Sequence, residues 1–273
     1  MTAPVATVIG WPIEHSRSPA IHRTWLARHG IDGDYIIVPV RPGEVPAHFD
    51  RIRAGEFVGT NVTIPHKEAA FAAVDRREAA AEATEAVNTV WLEGDRLVGT
   101  NTDVDGFLAN LDAGAPGWSA RTAVVLGAGG AARGVAFGLA SRGVGRVIVA
   151  NRTRTRADTV AAALGGPVEA ASWSDLSDVL GSADLLVNAT SLGMAGQPPL
   201  EIDMSTLPET ATVNDIVYTP METPLLAAAR ARGLATVGGL GMLLHQAVTG
   251  FERWFGVRPE VDGDLHDRIV ATL

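Results

Sequence analysis

The sequence predicts an α/β protein in which an N-terminal α/β unit precedes a doubly wound parallel sheet. Two observations carry this. Short β-branched runs alternate with Ala-rich amphipathic stretches along the chain, and a glycine-rich turn directly follows one central run. The runs are VATVIG (5–10), YIIVPV (35–40), FVGTNVTI (57–64), TAVVLG (122–127), RVIVAN (146–151), ADLLVNAT (183–190) and ATVNDIV (211–217). Most are separated by a segment of helical period. Such alternation arises when crossover helices cover both faces of a parallel sheet. Right-handed crossovers then limit the possible topologies. Both periods break at 112–121, where Gly, Pro and Ala cluster (DAGAPGWSAR), so on pattern alone the first domain is expected to end there and the second to begin with the strand at 122. From Gly241 onward the pattern reads as two more helices, whose allegiance to either half periodicity does not fix.

Composition narrows the function. A chain of 273 residues has room for two modest domains with a substantial core. Its 47% hydrophobic and 19% charged residues suit an ordinary globular protein. There is no cysteine, which excludes disulfides, thiolate metal sites and a Cys nucleophile. H-E-x-x-H is also absent, so no metal is expected. The formal charge of −9 argues against broad nucleic-acid binding. No apolar run is long enough to suggest a membrane span, and the N-terminal segment carries no basic leader, so a cytoplasmic protein is expected. The expected partner is a small molecule; a homodimer is left open. Of the 22 cationic residues only Lys67 is a lysine. Where charge alone is needed this chain uses arginine, so a retained lysine points to a compact ammonium able to release a proton.

The run 122–127 leads into Gly127-Ala128-Gly129-Gly130-Ala131-Ala132 and then a helix to about Ser141. This is G-x-G-x-x-A, a variant of the Rossmann-type dinucleotide fingerprint. Gly127 permits the tight strand-to-helix turn, Gly129 lets a pyrophosphate approach the backbone, and Ala132 keeps helix and strand close. The phosphates would meet free N–H groups at the helix N-terminus. The next strand ends in Asn151-Arg152-Thr153-Arg154-Thr155-Arg156, with no acid before Asp158. An NAD site places Asp or Glu there for the ribose 2′-hydroxyl. Each charge-assisted arginine contact to a 2′-phosphate contributes about 1.5–3 kcal/mol, so two give a preference of at least about a hundredfold. Cations are unfavourable beside a helix N-terminus, so three of them call for an anionic partner. The expected cofactor is NADP.

The front half carries four short polar motifs. Ser16-Arg17-Ser18-Pro19 opens a helix; Ser18 is either an N-cap before Pro19 or, with Ser16, a carboxylate ligand. In Asn61-Val62-Thr63-Ile64-Pro65-His66-Lys67, strand alternation puts Asn61 and Thr63 on one face, opposite Val62 and Ile64, with Lys67 one turn into the next helix. Asn88-Thr89 and Asn101-Thr102-Asp103 complete the group. Each alone is a common turn former. Together they supply amides, hydroxyls, one ammonium and one carboxylate, a set suited to a ligand with several hydroxyls. A hydride arriving at a ketone carbon drives charge onto its oxygen, and Lys67 could stabilise and protonate it. Neither Tyr35 nor Tyr218 has a lysine four residues on, which excludes the Tyr-x-x-x-Lys reductase arrangement. His15, His66 and His245 read as bystanders.

In order from residue 16 to 246 the chain carries S-R-S-P, N-V-T-I-P-H-K, A-V-N-T, N-T-D-x-x-G, G-A-G-G-A, N-R-T, N-A-T, D-I-V-Y-x-P and G-x-G-M-x-x-x-Q. In these motifs it resembles the shikimate dehydrogenase family, which reduces 3-dehydroshikimate to shikimate with NADPH on the route to aromatic amino acids. The resemblance implies that Ser16 and Ser18 hold the substrate carboxylate, and that Asn61, Thr63, Asn88, Asp103 and Gln246 hold ring hydroxyls. Tyr218 would line the pocket, with Lys67 and Asp103 as the catalytic pair. NADP would be held by Gly127, Ala128, Gly129, Gly130, Ala131, Asn151, Arg152, Thr153, Arg156 and Thr190, with Ile216, Gly239 and Met242 beside the nicotinamide. Many members carry Met in place of Ile216. The resemblance also implies a substrate domain of 1–105 plus 241–273, an NADP domain of 106–240, and an active site in the cleft between them. Two other readings stand beside it. One is an NAD-using quinate/shikimate enzyme, opposed by the three arginines and by Ser rather than Thr at both carboxylate positions. The other is a non-catalytic NADP-binding regulator, opposed by the presence of both Lys67 and Asp103.

Overall fold

The computed structural model describes residues 3–273. The chain divides into two compact units, residues 1–102 with 244–273, and residues 103–243.

The first unit contains β1 (Val5–Gly10), α1 (Ser18–His29), β2 (Asp34–Pro39), α2 (Val45–Arg53), β3 (Gly59–Val62), α3 (Lys67–Ala73), β4 (Arg76–Arg77), α4 (Ala79–Thr84), β5 (Thr89–Glu93) and β6 (Arg96–Thr100). Its six strands are ordered β2-β1-β3-β5-β6-β4. β1 pairs in parallel with β2 and β3, but β5 runs antiparallel to both β3 and β6. The alternating runs alone do not reveal this antiparallel pairing. Residues 89–100 form a hairpin whose turn contains Gly94 in the left-handed region, and its polar ends hide it from an apolar-run reading. One sheet face packs Ile9, Val62, Val90 and Leu97 against Phe49 and Ile52 of α2. The other buries Ala6, Val8, Tyr35, Trp91 and Val98.

The second unit opens with α5 (Asp103–Gly114), so the irregular 115–121 segment lies inside it, before β7 (Thr122–Leu126). There follow α6 (Gly130–Ser141), β8 (Arg146–Asn151), α7 (Arg154–Leu164), β9 (Val168–Ser172), α8 (Leu176–Leu180), β10 (Leu185–Asn188), β11 (Thr212–Asp215), α9 (Pro224–Ala231) and β12 (Ala235–Val237). The sheet is parallel throughout, in the order β12-β11-β10-β7-β8-β9. This is the doubly wound order in which the crevice for a ligand opens at the carboxyl ends of the two central strands, β7 and β10. Both faces are covered: Val124, Leu126, Ile148 and Leu186 pack towards α8 and α9, while Val125, Val149 and Val187 are equally buried on the reverse. Burial on two sides explains why these strands read as continuous apolar runs.

The last two helices are α10 (Leu240–Phe255) and α11 (Gly263–Val270). The division falls within α10, and from Leu244 the chain packs with the first unit. There Trp254 Nε1 donates to Val90 O (3.0 Å), and Trp25 Nε1 of α1 donates to Glu260 O (3.0 Å).

Candidate active site

In the second unit the predicted cofactor residues gather at the carboxyl ends of the strands. Gly127 follows β7 with φ +104, a conformation glycine adopts without strain. A Cβ there would also press against Thr190 Cγ2 (3.0 Å) and Ala189 O (3.1 Å), just after β10. Gly129 caps α6 in extended backbone. A Cβ at Gly129 or Gly130 would meet nothing within 4 Å, so protein packing does not require glycine at either position. A ligand lying against the backbone would. Ala132 is fully buried, as helix–strand contact demands, and Ala128 and Ala131 complete the turn.

Asn151 ends β8, and its Nδ2 donates to Thr153 O (2.9 Å). Thr153 caps α7, so Arg154 and Arg156 fall in the first helical turn, where there is no acid. Arg154 is tied to Asp158 (2.8 Å). Among the described residues no ion pair joins Arg152 or Arg156 to an acid. These two are the cations available to an anionic ligand. A cavity of about 350 Å³ lies beside Arg152, lined also by Trp173, Ser191, Leu192, Gln197 and Glu201. The donor set fits a 2′-phosphorylated dinucleotide.

The strand ends are held by a buried polar network. Asn188 Oδ1 accepts from Thr190 Oγ1 (2.7 Å) and Thr190 N (3.0 Å), while its Nδ2 donates to Asp215 Oδ1 (2.9 Å). Asp215 also accepts from Thr223 Oγ1 (2.7 Å) and Val217 N (3.0 Å). Burial raises the Asp215 carboxyl above its ordinary range, and these three donors oppose the shift. The network fixes the segment bearing Ile216 and Tyr218. Gly239 packs directly on it, since a Cβ there would overlap the Ile216 carbonyl. Met242 N donates to Gly239 O (3.1 Å), starting α10.

In the first unit α1 begins at Ser18, with Arg17 rather than Ser18 at the cap; Ser16 Oγ accepts from Ser18 N (3.3 Å). Strand alternation ends at Val62. Ile64 is 74% exposed instead of facing the core, because the chain turns away there and Ile64 O accepts from Trp11 N (3.1 Å). Thr63 is half-buried beside it. Lys67 is the first residue of α3, not one turn inside it, because His66 takes the cap. His66 itself is buried and bonds Val40 O (2.7 Å), a structural role.

Asn61 and Asn88 join one network. Asn61 Nδ2 donates to Asn88 O (3.1 Å) and to Thr89 Oγ1 (3.0 Å), its cross-strand partner. Asn88 Oδ1 accepts from Thr102 N (2.8 Å), Thr102 Oγ1 (3.1 Å) and Thr89 Oγ1 (3.0 Å). Lys67 is anchored beside it, its carbonyl accepting from Val87 N (3.0 Å). Asp103 follows Thr102 as the first residue of α5, in the second unit. Gln246 is half-buried on α10. Sequence reasoning missed one member of this network, Tyr35, whose hydroxyl donates to Asn61 Oδ1 (2.6 Å). A tyrosine in an apolar strand reads as core, and its partner lies 26 residues away.

The doubly wound sheet and its strand-end groups define a dinucleotide-binding oxidoreductase. Residues 8–90 match the shikimate dehydrogenase substrate binding domain, 109–196 the shikimate / quinate 5-dehydrogenase domain, and 239–263 the shikimate 5′-dehydrogenase C-terminal domain. Over 268 residues the chain is 54% identical to shikimate dehydrogenase (NADP(+)) of Azorhizobium caulinodans, covering 97% of this chain and 95% of that one. Among solved structures it resembles shikimate 5-dehydrogenase from Thermus thermophilus in complex with NADP(H) and shikimate. That match has a TM-score of 0.88 and 36% identity, covering 99% and 100% of the two chains. Quinate dehydrogenase from Corynebacterium glutamicum in complex with NAD gives a TM-score of 0.90 at 32% identity, covering 98% and 99%. The chain belongs to the shikimate dehydrogenase family.

Proposed function

We propose that the protein catalyses the reversible NADPH-dependent reduction of 3-dehydroshikimate to shikimate in the cytoplasm, with Lys67 and Asp103 as its catalytic pair. The observation that supports this is a buried amide and hydroxyl network (Asn61, Asn88, Thr89, Thr102) anchored next to the only lysine, in a chain that also carries a strand-end set fitting NADP. Bound NADPH supplies the hydride. Ser16 and Ser18, at the start of α1, take the substrate carboxylate. Asn61, Thr63, Asn88, Asp103 and Gln246 take ring hydroxyls, and Tyr218 lines the pocket. As charge develops on the ketone oxygen, the Lys67 Nζ proton moves onto it, and in the reverse direction Lys67 accepts it. Asp103 orients the ammonium and accepts from a neighbouring hydroxyl.

Gly127 to Ala131, Asn151, Thr153 and Thr190 hold the cofactor diphosphate and ribose, Arg152 and Arg156 the 2′-phosphate. Ile216, Gly239 and Met242 flank the nicotinamide. Ile216 would contact that ring through its backbone, a contact that the Met-to-Ile difference leaves in place. The test is nicotinamide absorbance in the four combinations of NADP or NAD with shikimate or quinate, for the wild type and Lys67→Ala. Turnover is expected chiefly with NADP and shikimate, and Lys67→Ala should lower it by on the order of 10² or more with cofactor affinity kept. Preference for NAD with quinate would favour the rival dehydrogenase, and no turnover at all would favour the regulator. Near-normal Lys67→Ala turnover would remove Lys67 as the acid.

A further inference from the structure

Asn61 has its hydrogen-bonding capacity almost fully committed inside the protein. Both N–H bonds of Nδ2 are used, one on Asn88 O and one on Thr89 Oγ1. Asn88 O is a carbonyl that also accepts from Val62 N (2.8 Å), so it can only accept. The Asn61 amide therefore cannot be turned over without setting two carbonyl oxygens against each other. Oδ1 must face Tyr35, and Tyr35 must be the donor in that 2.6 Å bond. The His22 ring lies near the same oxygen, but neither of its nitrogens is hydrogen-bonded, so one Oδ1 lone pair remains. Whatever Asn61 does for a ligand, it does as an acceptor.

Tyr35 is fully buried and cannot reach a ligand itself. Its ring is held in one plane: His22 stacks on it at 4.0 Å and 2°, and Trp254 packs at 6.0 Å. The Ser18 side chain lies against the same hydroxyl, so Tyr35 touches residues from both the carboxylate and the hydroxyl ends of the proposed substrate set. Resting on the shikimate reading, we propose that Tyr35 is a positioning residue: it fixes Asn61 Oδ1 so that the remaining lone pair accepts from one ring hydroxyl of the substrate.

Tyr35→Phe keeps the stacked ring and removes only the donor. With one neutral hydrogen bond at stake, the KM for shikimate should rise about three- to tenfold while kcat and the KM for NADP change little. A merely structural role would lower the melting temperature without this split. Among shikimate analogues each lacking one ring hydroxyl, one should show no Tyr35→Phe penalty, because the hydroxyl that Asn61 receives is missing. An unchanged shikimate KM, or an equal penalty with every analogue, would overturn the proposal. Hydrogen exchange of the Asn61 side-chain amide in the ligand-free protein decides the Tyr35–Asn61 link separately. It should quicken in Tyr35→Phe, and an unchanged rate would overturn the link whatever the substrate. A wild type inert towards shikimate would instead overturn the functional reading and the shikimate part of this proposal, with the exchange rate still deciding whether Tyr35 holds Asn61.

Discussion

Acid should unfold the first unit through two buried histidines. His22 is fully buried, neither ring nitrogen has a hydrogen-bond partner, and burial lowers its pKa from 6.5 to about 3, opposed by the nearby Asn61 amide. His48 is also buried, its Nε2 against Thr7 Oγ1 (3.1 Å). Burial and then Arg51 lower it to about 4, with Glu56 opposing. Both are therefore neutral in the folded state at pH values where the unfolded chain binds a proton. Their full contribution to stability is present above pH 6.5 and is lost as pH falls from 6.5 towards 4 and 3. Between pH 7 and pH 5 each unfolded imidazole takes up most of a proton and each folded one almost none. At about 1.4 kcal/mol per pH unit, that costs about 2 kcal/mol per histidine and about 4 kcal/mol together. Such a loss is a large part of the roughly 5–15 kcal/mol that keeps a domain folded. The carboxylates with lowered values, such as Asp34 and Asp75, act below their ordinary 3.8, while Asp215, whose value burial raises, acts in the opposite sense to the histidines.

Urea unfolding followed by tryptophan fluorescence measures the effect, because Trp25 and Trp254 lie 5.7 and 5.6 Å from the His22 ring. Wild type should lose about 4 kcal/mol from pH 7 to pH 5, and His22→Leu about half of that. Comparing each protein with itself at the two pH values removes whatever constant the substitution adds. If His22→Leu lost as much as the wild type, His22 would not be a neutral buried group and the argument would fail.

Three further substitutions test the second unit. Arg152→Gln should weaken NADP binding about tenfold or more and leave NAD unchanged, since one charge-assisted contact to the 2′-phosphate is removed; equal loss for both cofactors in titrations would refute that role. Gly239→Ala drives a methyl into the Ile216 carbonyl and within 2.8 Å of Val217 O. It should cost about 1–3 kcal/mol in unfolding experiments and raise the KM for NADP, and an unperturbed KM would separate Gly239 from the nicotinamide. Asn214 is fully buried with both side-chain polar atoms unpartnered, between Val187 and Val237 on the flanking strands. Asn214→Val should therefore raise the melting temperature by about 2–4 °C for each kcal/mol recovered; a lower one would mean that the amide is satisfied in solution.

The two halves are not equally legible, and the difference has a physical origin. In the second unit the groups that matter sit where a strand ends, so reading the strand locates them: 146–151 reads with its structural bounds, and the helix after the glycine turn is predicted to Ser141, where α6 ends. Only β9 and β12 escape, both edge strands in which alanine and polar residues interrupt the apolar run. In the first unit the site is made by register. Asn61 faces Thr89, and Thr89 faces Thr100, through an antiparallel arrangement that apolar runs do not reveal. Sliding β5 by one residue would send Thr89 to the opposite face and strip Asn61 of a partner. No local pattern encodes that choice, because it depends on which strands become neighbours. Asparagines and threonines scattered from 61 to 102 can thus be recognised as a polar set. That Asn61 is left with a single accepting lone pair follows only once Tyr35, Asn88 and Thr89 have spent the rest.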